Sequence, residues 1–179
     1  MSDTLENYVQ QFVAGVAGLP GELVRPRWQP EPPNLPTLDV TWAAVGIVQR
    51  RPIGIYAWVG HDPNADGGQG LDKMQRHEEM DLLCTFYGPD SDVVASNLHD
   101  GCMIWQNKSE LRLNGMAFVE ITEAIRMPEM IKNQWVDRVD KTIVLRRIIL
   151  RDYRVRNQLW AGGSIIADPS GYTQSFHAP

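Results

Sequence analysis

Four histidines, His61, His77, His99 and His177, are the side chains of this sequence best suited to hold a metal or to move a proton near neutral pH. They fall 16, 22 and 78 positions apart with no HExxH on a helix, so metal-ligand spacing is absent. His77-Glu78-Glu79 is the one polar cluster with acid–base composition, and its place at the entry to a strand reads as a solvated, charged face. Gly67-Gly68-Gln69-Gly70 has neither the GxGxxG order nor a following Lys-Ser/Thr, which leaves phosphate cradling unsupported. No GxSxG elbow surrounds a serine, and Gly162-Gly163-Ser164 lacks the strand-to-helix turn that would expose a nucleophile.

Cys84 and Cys102 lie 18 positions apart, matching neither a zinc clip nor a redox CxxC, and apolar alternation around each predicts buried thiols. No catalytic, cofactor-binding or metal residue is therefore assigned. The chain reads as a structural subunit that works by assembly and not as an enzyme. The rival is a small enzyme or binding domain using His77, Glu78 and Glu79. Alanine at His77 and Glu79 separates the two, because assembly survives that change and catalysis does not.

The elements that would position such groups begin with a helix over residues 4–17, where Leu5, Tyr8, Val9, Phe12, Val13 and Val16 recur at helical spacing before Gly18 and Pro20. Six of the twelve prolines fall in residues 20–36, which predicts an extended, Pro-rich strap. Strands are expected over 38–48, 53–59 and 79–87, with residues 61–76 as a long mobile loop. A second helix follows Pro89-Asp90-Ser91, with Val94, Leu98, Cys102 and Trp105 inward, and Asn114-Gly115 fits either a type I′ hairpin turn or, the favoured reading, the left-handed cap of an extended second helix. A strand over 116–122, a break at Pro128, and one long strand over 135–155 with a bulge near Arg146-Arg147 come next. Residues 164–167 would close the sheet, and 170–179 would form a flexible tail.

This order, without regular βαβ alternation, predicts an α+β fold: an antiparallel sheet flanked by two main helices, with a long strand hairpin projecting beyond it, as a single domain over 1–179. Folding at 179 residues buries about 70% of the surface of an extended chain, enough for one real core. Apolar runs are only a few residues long and the first residues lack a signal-peptide pattern, so no membrane partner is expected.

The net charge of −5 argues against gripping nucleic acid. Residues 62–100 carry nine acids against Lys73 and Arg76, and residues 134–157 carry seven bases against three acids. Two accounts stay open: neighbouring strands that offset each other within one molecule, or an acidic flank of one copy meeting a basic flank of the next. Of the six tryptophans, Trp42, Trp58 and Trp105 fit core phases, whereas Trp28 in the strap and Trp160 beside Gly162 are candidate partner contacts. Arg146, Arg147 and Arg151 join them as candidate interface residues from the basic run.

The helix ending Val16-Ala17-Gly18-Leu19-Pro20, the strap with Pro33-Asn34-Leu35-Pro36, the strand from Leu38 to Val48, and Pro128…Trp135-Val136-Asp137-Arg138 together resemble the neck or tail-terminator proteins of tailed bacteriophages. The resemblance covers residues 5–167. It implies a virion protein, assembled in the host cytoplasm, that packs into a homohexameric ring on the head-proximal end of the tail tube. Its implied partners are its own copies, the tail-tube and sheath proteins and the head-tail connector, with genomic DNA passing through the lumen without specific binding. Another connector, tail-completion or baseplate ring would share the fold. Trp135 and Arg138 carry over from the family's late pattern, with a structural job in the sheet and its lateral contacts. An acidic lumen would suit DNA passage, since a repelling wall keeps the genome from sticking.

Overall fold

A computed structural model describes residues 2–29, 34–158, 161–167 and 172–178. It is α+β: helix α1 (Ser2–Ala17), strand β1 (Val24–Pro26), β2 (Trp42–Asp62), a single turn α2 (Ala65–Gly68) and β3 (Leu71–Tyr87) make up its first half. Helices α3 (Ser91–Met103) and α4 (Trp105–Leu113) follow, then strands β4 (Met116–Ile121), β5 (Ile125–Arg126), β6 (Glu129–Ile131), β7 (Gln134–Val136), β8 (Arg138–Tyr153), β9 (Ala161–Ala167) and β10 (Tyr172–Ala178). The main sheet runs β1-β2-β3-β8-β4, with β5 also on β8. It is mixed and not purely antiparallel, because β1 lies parallel to the start of β2, with Val24 opposite Ala43. The chain divides into two compact units, residues 1–55 with 76–149, and residues 56–75 with 150–179.

In the first unit the period-2 pattern of the strands sets one face against the helices. Met80, Leu82, Cys84 and Phe86 of β3, Ala43 and Val45 of β2, and Val139, Ile143 and Leu145 of β8 pack with Val9, Phe12, Val13 and Ala17 of α1, Leu98 of α3 and Leu111 of α4. Each large side chain buried there contributes about 1.5–3 kcal/mol. Both thiols are in this core, and burial raises them, Cys102 to about 11. α1 meets α3 at Gly101, where a Cβ would strike the Val16 side chain.

On the opposite face lie Arg27 and Trp28, which follow β1. Arg27 donates its backbone N–H to Val45 O at 2.9 Å and its guanidinium to Thr85 Oγ1 at 2.7 Å. Trp28 follows it onto Gly46, whose missing side chain makes the room, since a Cβ there would be 2.9 Å from the indole. Beside them Trp42 stacks on Tyr87 at 4.5 Å, and Arg138 stands over the Tyr87 ring.

Several expectations are corrected. Residues 61–76 are not a long loop: β2 continues through Asp62 and β3 begins at Leu71, joined by a turn with Asp66, Gly67 and Gly68 at positive φ. The strands expected over 38–48 and 53–59 are one strand; Pro52 is tolerated because β1 pairs only with Ala43, Ala44 and Val45, and Gly54 at φ 85 bends the strand without ending it. The second helix is two helices, broken at Ile104 (ψ 128), which turns Trp105 outward to 68% exposure instead of into the core. The strand over 135–155 breaks at Asp137, and its first part pairs with β6. The irregularity near Arg146 lies on its partner, where the register slips between Phe118 and Glu120 of β4. β9 does not close the main sheet: it pairs with β10, which occupies the expected flexible tail. Gly115 does cap α4, at φ 68.

Gly88 meets the backbone closely. It sits at φ 105, and a Cβ would be 2.7 Å from Val40 O and 2.9 Å from Thr41 Cα. Gly88→Ala is expected to cost about 2–3 kcal/mol, from left-handed strain plus a backbone clash that no rotamer relieves, read as a lower urea midpoint at unchanged slope.

Candidate assembly interface

His77, Glu78 and Glu79 do not converge on a site. Glu78 is 5% exposed and not solvated: Arg147 holds it at 2.6 Å, with Arg76 at 3.6 Å. Glu79, on the other face of β3, takes Arg146 at 2.8 Å and Arg51 at 3.6 Å, and Arg51 also binds Asp81 at 2.7 Å. The intramolecular account of the charge asymmetry therefore holds at these positions. Among the described residues no cluster of three or more His, Cys, Asp or Glu side chains is arranged to hold a metal ion.

The expected interface residues separate into two groups. Arg138 is turned inward, bonded to Asp140 at 2.7 Å and Glu129 at 3.0 Å, and those hydrogen bonds, Asp140 first, keep its guanidinium firmly charged. Arg146 and Arg147 are engaged as above, Arg151 is exposed in the second unit, and Trp160 lies outside the described residues, as does the Trp58 side chain. Trp28 and Trp135 are open to solvent, at 61% and 71%.

Trp135 owes its exposure to a hairpin that sequence reading missed. Lys132 and Asn133, at φ 52 and 62, form a two-residue turn between β6 and β7. Register then places Met130 directly opposite Trp135, both outward, while Ile131 and Val136 turn toward a cleft lined by Leu35, Leu38 and Val40. The alternation Met130-Ile131…Gln134-Trp135 around Asn133 was the available signal, but without Asn-Gly it is weak. The acids Asp90, Asp92 and Asp137 are exposed at the same corner, tied together by the Gly88 N–H donating to Asp137 O at 3.0 Å.

About ten residues along β8, roughly 30 Å at strand rise, lies a surface of opposite character. Arg112, Arg146, Arg147 and His77, with Met116 and Ile148, line a groove of about 260 Å³. Arg112 lies 5.6 Å from the centre of the exposed Trp105 ring, and Leu113 beside it is 86% exposed. Met103, Ile104 and Trp105 are three consecutive exposed apolar residues, a run that a free surface does not favour. Exposed Trp, Met and Arg are the residue types that dominate protein–protein contacts.

These open apolar surfaces coincide with a family match. The family model described as "Phage neck terminator protein" matches residues 3–167. The chain belongs to that family. No curated protein matches it. As a neck terminator protein it is a structural component of the phage neck, which agrees with the resemblance drawn from the sequence. The match spans α1 to the end of β9 and so includes both the acidic hairpin corner and the basic groove.

The Glu78–Arg147 pair is the most buried contact in this region. Arg147→Met alone is expected to cost about 3–5 kcal/mol, because it leaves a buried carboxylate with only a distant partner. Adding Glu78→Leu should return most of that loss, and chemical denaturation of the two single variants and the double variant measures the coupling.

Proposed function

We propose that this neck terminator protein closes into a ring, six-fold as the sequence resemblance implies, that caps the head-proximal end of the tail tube and joins it to the head connector. The observation that carries the reading is the pair of unlike surfaces about ten residues apart along β8. Met130, Trp135, Asp90 and Asp92 of one copy meet Trp105, Arg112, Leu113 and Arg146 of the next. Unlike patches at opposite ends give a head-to-tail contact, which closes into a ring or runs on as a filament. Apolar burial supplies affinity and the charges set register.

The tube, sheath and connector proteins are the axial partners, DNA passes through an acidic lumen without specific binding, and assembly occurs in the host cytoplasm. The family match across both compact units supports treating them as one functional domain. A density map with basic side chains lining the channel sinks the lumen reading alone.

Native mass spectrometry of the chain at micromolar concentration, with negative-stain imaging, is expected to show a closed hexamer with a central hole. Asp90→Arg/Asp92→Arg should lose the ring, as should Arg112→Glu/Arg146→Glu, with contact weakened at least about a hundredfold by facing like charges. An equimolar mixture should regain a hexamer of alternating variants, since every contact is again between opposite charges. Where loss of the Arg146–Glu79 pair unfolds the chain, Arg112→Glu alone replaces the double change. A ring that survives in both variants overturns the assigned contacts. A chain that stays monomeric even with purified tail-tube protein overturns the ring.

A further inference from the structure

In the second unit, one histidine is surrounded by acceptors only. His61, near the end of β2, places Nδ1 2.6 Å from Asp72 Oδ1 of β3 and Nε2 2.6 Å from Asn157 Oδ1 in the segment after β8. The orientation of the Asn157 amide is fixed independently. Its Nδ2 donates to Pro63 O at 2.8 Å and Gly68 O at 2.9 Å, which takes both of its hydrogens, so the atom facing His61 is the oxygen. The Asn157 backbone N–H donates to Gln69 O at 2.9 Å. Gly70 makes this approach possible, since a Cβ there would be 2.7 Å from Val155 O and would strike Asn157 Oδ1 as well.

A neutral imidazole has one donor and one acceptor, and here it would present a lone pair to an oxygen on one side. We infer that His61 is an imidazolium latch that holds the 154–157 segment onto the β2–β3 turn, and that raising the pH releases it. Both nitrogens carry protons in the closed state. On deprotonation the proton stays on Nδ1, facing the carboxylate, and Nε2 turns a lone pair toward Asn157 Oδ1. Asn157 then lets go, or flips and gives up its bonds to Pro63 and Gly68.

The charges around the ring agree in sign. Asp72 from β3 and Asp62 from β2 both favour the cation; of the two arginines in the latched segment, Arg154 pairs with Asp66 of the turn at 3.5 Å and Arg156 is exposed to solvent. The hydrogen bond to Asp72 first, and that to Asn157 second, raise the His61 pKa above its usual value. A histidine raised on folding gives stabilisation that is complete below about pH 6.5, its unfolded value, and fades as pH rises through the folded value. This reading does not depend on ring assembly.

The test is ring ¹⁵N NMR of His61 with amide hydrogen exchange at Asn157, on the full chain from pH 5 to 9. At pH 6 both ring nitrogens should show protonated shifts, with a titration midpoint above 6.5. After correction for intrinsic base catalysis, protection of the Asn157 N–H should be lost progressively as the pH rises through the His61 midpoint toward 9. Asp72→Asn should lower the midpoint and flatten the pH dependence at Asn157, which a merely structural contact would not do. A neutral tautomer at pH 6, or Asn157 protection that does not change with pH in the wild-type chain, overturns the latch.

Discussion

Arg146 and Arg147 are neighbours on one strand and so point to opposite faces of the sheet, and each finds its own neighbour of the Glu78-Glu79 pair. On the helix-covered face Arg147 neutralises a carboxylate that would otherwise be stranded at the margin of the core; on the other face Arg146 shares Glu79 with Arg51 of β2. A slip of one residue between β3 and β8 would send every side chain of one strand to the wrong face and separate both pairs at once. The apolar alternation alone would tolerate a slip of two. The double pair does not, so it fixes the alignment that brings Leu82, Cys84 and Phe86 against Val139, Ile143 and Leu145.

From that alignment the two faces take different roles. One is a dry core roofed by α1, α3 and α4. The other is half polar, where Arg27, Tyr87, Arg138, Asp140 and Glu129 link the segment after β1, β3, β8 and the β6–β7 hairpin through directional contacts. Arg138 binds Glu129 at the foot of that hairpin, so the inward arginine orients the outward tryptophan. Trp135 is on show because Arg138 is not. The resemblance named the two together, and the structure gives them complementary jobs one turn of chain apart.

What was legible in the sequence was whatever follows from periodicity. α1, the buried thiols, the Gly115 cap, β4 and the α+β class all rest on spacing that tertiary contacts reinforce. What was not legible depends on partners far away in sequence. Residues 61–76 look like a loop because they are rich in Gly, Asp and Asn, yet Asp72 and His61 are strand residues bonded to each other, and His61 is held by Asn157, 96 positions away. Glu78 looks solvated because it is charged, and is buried because Arg147 reaches it. The helix after Pro89 looks continuous, but Gly101 must meet Val16 and its carbonyl accepts from both Ile104 and Asn107, which ends one helix and starts another.

The same contrast changes what the basic run means for assembly. Its charge suggested a row of arginines waiting for a partner. Arg138, Arg147 and much of Arg146 are already matched within the molecule, and a pair that is matched gains little from a second acid, since charges near a surface attract only modestly once screened. Large apolar side chains are left exposed as well: Trp105, Leu113, Met130 and Trp135. Covering each would be worth about 1.5–3 kcal/mol, more than a rim salt bridge supplies. In the proposed ring contact, a neck subunit built this way folds with its ion pairs closed and keeps its apolar contacts for neighbours, with Asp90, Asp92 and Arg112 choosing the register and not providing the bulk of the affinity.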